Sequence, residues 1–252
     1  IDWVYFIPAF LITAFLYAYV GFGGGSTYNA LLILYDVDYL LVPKIALTCN
    51  LIVVIGGTIR YQLNNLIPWK KTLPIILVSA PFAWLGGKIP LNKELFLTIL
   101  GISLLISGVL LLIRKEEVQK FSKSINSKIG IVIYSVVSGI IGFISGLVGI
   151  GGGIFLSPAL HLAKAMPSMN IAAISSTFIF VNSVAGLSGQ FMKDNSSELL
   201  SNYIEYSWLF LAVFIGGTIG TYLGIKTFHP VIVRRLTAIL VIYVGLRVLI
   251  GF

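Results

Sequence analysis

Two glycine clusters inside apolar segments are the residues in this chain best suited to binding chemistry. The first spans Gly21–Gly25 and the second spans Gly149–Gly153, each with four glycines in five residues. Consecutive glycines are costly in a helix interior, so each cluster predicts a helix break followed by a new helix. A helix start exposes unpaired N–H groups and the positive end of the helix dipole. The clusters therefore predict a site for an oxyanion, with close helix packing as the alternative interpretation.

Small polar residues follow each cluster inside an apolar run. Their hydroxyls and amides can donate to an anion, although Ser and Thr can instead bond their own helix or a neighbour. The candidate substrate-binding residues are Gly21, Gly23, Gly24, Gly25, Ser26, Thr48, Cys49, Asn50, Gly149, Gly151, Gly152, Gly153, Ser175, Ser176 and Thr177. The secondary candidates are Asn182, Gln190, Lys88 and Lys226. The two lysines lie near predicted helix ends, where snorkelling to the interface is the alternative interpretation.

Other chemistries find no support in the residue pattern. No Asp or Glu falls near the middle of a predicted span, so no carboxylate proton relay is visible. His161, His229 and Cys49 lie far apart in the sequence and give no zinc-binding spacing. A nucleotide-binding loop would need glycine where Ser26 and Ile154 stand. We therefore expect no enzyme activity, no catalytic residues, no metal and no cofactor.

The composition makes a bilayer the main solvent of this protein. The chain is 58% hydrophobic and only 10% charged, far from the balance of soluble domains. The net charge of +8 comes from basic residues in short loops, which indicates membrane orientation and not nucleic-acid binding. The single cysteine, Cys49, excludes an intrachain disulfide. The first apolar run follows Asp2 without a basic flank and is interpreted as a mature helix, not a signal peptide.

The apolar runs predict an all-α, polytopic transmembrane helical bundle. A spanning helix needs about 20 mostly apolar residues, and helices satisfy their backbone hydrogen bonds within the lipid. Eight spans are predicted, at 3–20, 43–62, 72–90, 94–113, 129–148, 170–190, 205–226 and 230–251. Two shorter stretches, 26–35 and 153–164, follow the glycine clusters and are predicted to be broken or re-entrant segments.

The two halves of the chain resemble each other. Residues 46–50 resemble 173–177, and residues 84–88 resemble 222–226, in the same order relative to the glycine clusters. We therefore predict a first repeat at 1–113, a basic cytoplasmic linker at 114–128 and a second repeat at 129–252. Glycines spaced four apart, as at Gly142 and Gly146 and from Gly216 to Gly224, predict helix packing and not binding.

Charge distribution favours inverted repeats over parallel ones. If the short stretches return towards the side they came from, twelve of the 17 basic residues share one side, against ten in the parallel arrangement. The positive-inside rule then puts the linker in the cytoplasm and the N-terminus outside. Repeats of this kind recur in secondary transporters, which bind their substrate at the repeat interface.

The glycine clusters, the short stretches and the small-polar helices together resemble the TauE/SafE sulfite-exporter family over nearly the whole chain. The second half is the closer match, whereas the first half has Ala30 where Pro158 would align and Thr48-Cys49-Asn50 for a Ser/Thr-rich triplet. The resemblance implies a secondary transporter that moves sulfite, sulfoacetate or a related organosulfonate across a prokaryotic cytoplasmic membrane, often as export. It implies no bound cofactor and does not fix the anion.

Two other functions stay open at this point. An anion channel could use the same glycine-rich filter, and a non-transporting membrane scaffold could share the composition. The expected partners are the lipid bilayer and a small anionic substrate, with a coupling ion as an open addition and no nucleic acid. The sequence leaves the direction of transport and the oligomeric state open.

Overall fold

The computed structural model describes residues 3–113, 128–163, 165–193, 202–226 and 230–250, and no strand occurs within those ranges. Ten longer helices carry the fold within the described ranges: α1 (Trp3–Tyr19), α2 (Gly25–Leu34), α3 (Val42–Leu63), α4 (Trp69–Lys88), α5 (Lys93–Ile113), α6 (Lys128–Val148), α7 (Gly153–Leu162), α8 (Ser168–Lys193), α9 (Ser207–Lys226) and α10 (Pro230–Ile250). A single helical turn at 202–205 precedes α9. A helix lies at each of the eight predicted spans, and α2 and α7 occupy the two short stretches. Most of the predicted linker falls outside the described residues.

Five of the described helices, α3, α5, α6, α8 and α9, are long and apolar enough to cross a membrane. The apolar stretches of α1 and α10, Val4–Tyr19 and Ala238–Ile250, are shorter, while α4 carries Pro74, Pro81 and lysines near both ends. Large apolar side chains such as Leu77, Val136 and Phe214 are more than half exposed. Such an apolar exterior suits lipid contact and confirms an all-helical membrane protein.

Helices α3 and α8 form the centre of the molecule and run antiparallel. In the most apolar stretches of α3 and α8, 61% and 67% of the residues are buried, against 44% in those of α5, α6 and α9. The amide of Asn170 near the start of α8 donates to the Leu66 carbonyl just beyond the end of α3, at 2.8 Å. Towards the other end of the pair, Gly186 of α8 packs beside Leu47 near the start of α3.

Four outer helices pack around this centre as two parallel pairs. Glycine permits the close contact: Gly142 and Gly146 of α6 lie on Ser79 and Ala83 of α4. Gly216, Gly220 and Gly224 of α9 lie on Leu11, Phe15 and Tyr19 of α1 in the same way. These contacts confirm the predicted packing role of the glycine stripes, because small residues let membrane helices approach closely.

Helices α5 and α10 form a second antiparallel pair. Gly101 of α5 contacts Leu249 and Gly245 of α10, whereas Gly108 contacts Ile242 and the backbone of Ala238. The start of α5 therefore lies beside the end of α10, so the two helices run in opposite directions.

Candidate functional site

The first glycine cluster breaks the chain between α1 and α2, as predicted. Gly24 has φ 92° in the left-handed region and stands immediately before α2, a conformation that residues with a Cβ rarely adopt. The Tyr17 hydroxyl lies 2.6 Å from the Thr27 hydroxyl and 3.2 Å from that of Ser26. These bonds hold the end of α1 against the first turn of α2.

The second glycine cluster breaks the chain between α6 and α7 in the same way. Gly152 has φ 78° and stands immediately before α7. The amides of Phe155 and Leu156 both donate to the Gly152 carbonyl, at 3.1 and 3.2 Å. Helical geometry then gives the N–H groups of Gly153 and Ile154 no acceptor within α7.

Asn50 of α3 lies between the two breaks and touches both. Its Nδ2 donates to the Ile150 carbonyl at 3.1 Å, and its side chain packs against Gly23, Gly25 and Gly151. A methyl group at Gly25 would overlap both the Asn50 amide and the Ile150 carbonyl oxygen. The two glycine loops therefore meet at Asn50, which is fully buried.

Two more buried amides hold the second break. Asn29 of α2 donates through Nδ2 to the Val148 carbonyl at 2.8 Å, and Gln190 of α8 donates through Nε2 to the Gly146 carbonyl at 2.7 Å. These bonds satisfy carbonyls at the end of α6 that have no helical partner. The amide oxygens of Asn29, Asn50 and Gln190 are buried and have no hydrogen-bond partner.

Asn182 of α8 is the most unusual polar residue near the breaks. It is fully buried, and neither its amide nitrogen nor its amide oxygen has a partner. It lies one turn from Ile179, which packs on Gly153, and one turn from Gly186, which packs on Gly146. The hydroxyls of Ser145 and Ser175 are also buried and unpartnered.

Buried polar groups without partners are costly and rare, so their concentration in one region needs a cause. Here they gather around two helix starts. A small ligand that both accepts and donates hydrogen bonds would satisfy them.

Two predicted residues on α3 do not adjoin the glycine loops. Thr48 is two positions from Asn50 and therefore faces the opposite side of the helix. Its hydroxyl donates to the Lys44 carbonyl at 2.9 Å and lies 2.7 Å from the Tyr203 hydroxyl. Burial raises the pKa of Tyr203 above the ordinary value of a phenol. Cys49 lies in the apolar core.

The α8 triplet divides between the loops and helix packing. The Ser176 hydroxyl lies 3.1 Å from the Thr58 hydroxyl of α3, and the Thr177 hydroxyl donates to the Ala173 carbonyl of its own helix at 2.9 Å. Both contacts match the packing alternative for Ser and Thr in membrane helices. Ser175 lies beside Gly153 through its backbone carbonyl, and its buried hydroxyl has no hydrogen-bond partner.

Four remaining candidates lie away from the Asn50 contact. Gly21 packs against Tyr61 and Ala172, and Gly149 packs against Pro43. Lys88 is exposed at the end of α4, with Nζ 5.0 Å from the Trp84 ring centroid, as expected of a snorkelling lysine. Lys226 ends α9, and its side chain lies outside the described part of the chain.

Sequence reasoning missed Asn29 and Ser145. Asn29 is an amide in the short apolar helix α2, where a buried polar group needs a partner just as in a full span. That signal was present in the sequence, since the surrounding residues are apolar. Ser145 gave no such signal, because a single serine in a helix commonly bonds its own backbone.

Comparisons with known proteins agree on one family. A family model described as sulfite exporter TauE/SafE matches residues 6–248. The probable membrane transporter protein y4hK of Sinorhizobium fredii is 29% identical over 243 residues, covering 96% of both chains. A probable membrane transporter protein of Methanocaldococcus jannaschii is 30% identical over 74% of this chain and 73% of its own. The probable membrane transporter protein YunE of Bacillus subtilis is 25% identical over 92% of both chains. No solved structure matches significantly.

Proposed function

Because the chain belongs to the sulfite exporter TauE/SafE family, we propose that it is a secondary transporter that exports a small sulfur-containing anion. The family and the relatives are membrane transporters and not enzymes, and the chain is a multi-pass integral membrane protein. The proposed cargo is sulfite, sulfoacetate or a related organosulfonate, moved across a prokaryotic cytoplasmic membrane.

The contact of both glycine loops with Asn50 is the observation that carries the proposal. The N-terminus of α2 and the loop before α7 lie on this one side chain, so the positive ends of two short helices converge on a buried point. Unpaired N–H groups at helix starts suit an oxyanion. If the anion is hydrogensulfite, its proton can be donated in a hydrogen bond to one of the unpartnered amide oxygens nearby, while its other oxygens accept hydrogen bonds from the N–H groups.

The proposed topology has five membrane segments in each of two inverted repeats, which are the eight predicted spans together with the short helices α2 and α7, and a cytoplasmic linker joins the repeats. Helices α1 to α5 correspond to α6 to α10, so α3 pairs with its equivalent α8 and α5 with its equivalent α10. Both pairs are antiparallel, which supports a two-fold axis in the membrane plane. A parallel duplication would have given two parallel pairs instead.

We expect cysteines introduced at Ser122 and Ser196 to be labelled from opposite sides of the membrane. Ser122 belongs to the proposed cytoplasmic linker, and Ser196 to the connection between α8 and α9; both lie outside the described residues. Labelling with a membrane-impermeant maleimide, in a Cys49→Ala background, measures the accessibility of each site. Labelling of both from one compartment would refute the inverted arrangement.

The proposed mechanism is alternating access, in which one repeat moves against the other around the Asn50 centre. All glycines of both clusters are buried, so the described conformation fits a closed intermediate better than an open channel. A channel with the same filter would conduct without such enclosure. Saturable sulfite flux with a steep temperature dependence therefore distinguishes the proposed transporter from a channel.

A thermal-shift screen of the purified protein is the direct test of the proposed cargo. A ligand that binds only the folded state raises apparent stability by mass action, by about 2.7 kcal/mol at one hundred times its Kd. We expect stabilisation by sulfite or sulfoacetate, above any effect of sulfate, thiosulfate or taurine at equal ionic strength. Unchanged melting with every anion, together with absent flux in proteoliposomes, would favour the scaffold alternative.

A further inference from the structure

Arg60, near the end of α3, is placed where the binding centre alone does not explain it. Its guanidinium carbon lies 5.6 Å from the ring centroid of Tyr222 on α9, a cation–π arrangement. Its Nη1 atom is buried and has no hydrogen-bond partner. A guanidinium nitrogen that is withdrawn from water without an acceptor is costly, which indicates that an acceptor joins it during function.

The surrounding helices supply no carboxylate for Arg60. The helices that pack against α3 are α1, α2, α6, α8 and α9, and the sequence contains no Asp or Glu in any of them. Charged residues in membrane segments normally pair with one another or line a substrate path. With no intramembrane acid at hand, a passing anion is the fitting partner.

Hydroxyl groups connect Arg60 with the interface between the two halves. Gly57, one turn before Arg60, packs beside Ser176 of α8 and Thr221 of α9. The Thr58 and Ser176 hydroxyls lie 3.1 Å apart across α3 and α8. The Thr58–Ser176 hydroxyl pair therefore lies at the contact between the proposed repeats, within one turn of Arg60 on the helix that also carries Asn50.

The charge distribution points the same way. In the proposed orientation the side of Arg60 carries twelve basic residues against two acidic ones, Glu116 and Glu117, whereas the other side carries five basic and seven acidic residues. The positive-inside rule concerns Lys and Arg and does not require this separation of the acids. This excess of positive charge creates a positive electrostatic potential, which concentrates anions at the cytoplasmic face.

We propose that Arg60 and Tyr222 form a cytoplasmic access site that captures the anion before it reaches Asn50. Arg60 binds an anionic oxygen through its fork of N–H donors, and the Tyr222 ring fixes the guanidinium plane. The inference rests on the proposed transport of a sulfur oxyanion and adds the residues that receive it from the cytoplasm.

The test compares Arg60→Gln with Lys70→Gln in sulfite transport by vesicles of defined orientation. Lys70 is an exposed cation near the start of α4, so both variants remove one positive charge from the same face. We expect Arg60→Gln to raise the KM for sulfite supplied from the cytoplasmic side about tenfold or more. The KM from the outer side should change less than about twofold, and the ratio of the maximal export rate to the maximal import rate should rise in proportion to the cytoplasmic KM, because a substitution cannot change the equilibrium of transport. Every parameter of Lys70→Gln should change less than about twofold.

Equal KM changes from both sides, or none, would overturn the access site. If Arg60→Gln is not recovered as a monodisperse protein, Tyr222→Leu replaces it under the same criteria, with a smaller expected rise. Wild-type protein that transports no sulfur oxyanion would instead count against the proposed function. The two failures are therefore distinguishable, because failure of the access site shows in the KM values of the variant and failure of the proposed function shows in the wild-type protein.

Discussion

Replacement of Gly152 by leucine is expected to abolish sulfite transport. Gly152 has φ 78°, and a non-glycine residue in that conformation costs about 1–2 kcal/mol. A Cβ there would also lie 2.8 Å from the Phe178 ring and 3.0 Å from Ile141, and such overpacking typically costs about 1–3 kcal/mol more. The break would shift, and with it the N–H groups that begin α7. Flux of labelled sulfite in proteoliposomes measures the loss.

Gly56→Leu is the matched control for this substitution. Gly56 lies within α3, and a Cβ there would meet no atom within 4 Å. Leucine is also favoured over glycine in a helix interior by about 1 kcal/mol. We expect this variant to keep wild-type flux. Undiminished flux in a well-expressed Gly152→Leu protein would contradict the role of the second break.

Asn50→Leu is expected to weaken anion binding while keeping the number and branching of the side-chain heavy atoms. The substitution leaves the Ile150 carbonyl without its amide donor, at a cost of about 1–3 kcal/mol in stability. It also removes a polar side chain that touches both glycine loops. A hydrogen bond to a charged group contributes about 1.5–3 kcal/mol, so sulfite affinity should fall roughly 10- to 100-fold. Isothermal titration in detergent measures this Kd.

Asn170→Leu separates this effect from a general loss of stability. Asn170 also donates through Nδ2 to a backbone carbonyl of the other half, that of Leu66, at 2.8 Å. It lies at the start of α8, away from the glycine loops. This variant should lose comparable thermal stability and retain its sulfite Kd. Equal Kd values for the Asn50 and Asn170 variants would show that Asn50 serves only the fold.

The positions of the helices were predictable because hydropathy and length act locally. All eight predicted spans contain a helix, and both glycine clusters break the chain where consecutive glycines make a helix unfavourable. The packing glycines of α6 and α9 were equally visible, since a spacing of four keeps them on one helix face. These features depend only on residues near one another in the sequence.

The contacts of each polar side chain were not predictable, because they depend on how helices rotate against their neighbours. Thr48 and Asn50 are two residues apart, yet one bonds Tyr203 and the other joins the glycine loops. Asn29 donates to a carbonyl 119 residues away. The sequence alone gives no such pairing.

The resemblance between the halves also conceals an asymmetry. Thr177 occupies the position in the second half that Asn50 occupies in the first, and its hydroxyl bonds its own helix backbone. At this pair of corresponding positions, the first half thus supplies an amide to the glycine loops and the second half does not. The departure of Thr48-Cys49-Asn50 from the family pattern therefore falls at the proposed binding centre.

Anomalous diffraction from crystals grown with selenite, a heavier analogue of sulfite, would locate the anion most directly. The proposed binding by exposed backbone N–H groups requires a selenium peak beside Asn50, within hydrogen-bonding distance of amides at the starts of α2 and α7. A peak at full occupancy elsewhere in the membrane region, with none between the glycine loops, would contradict it.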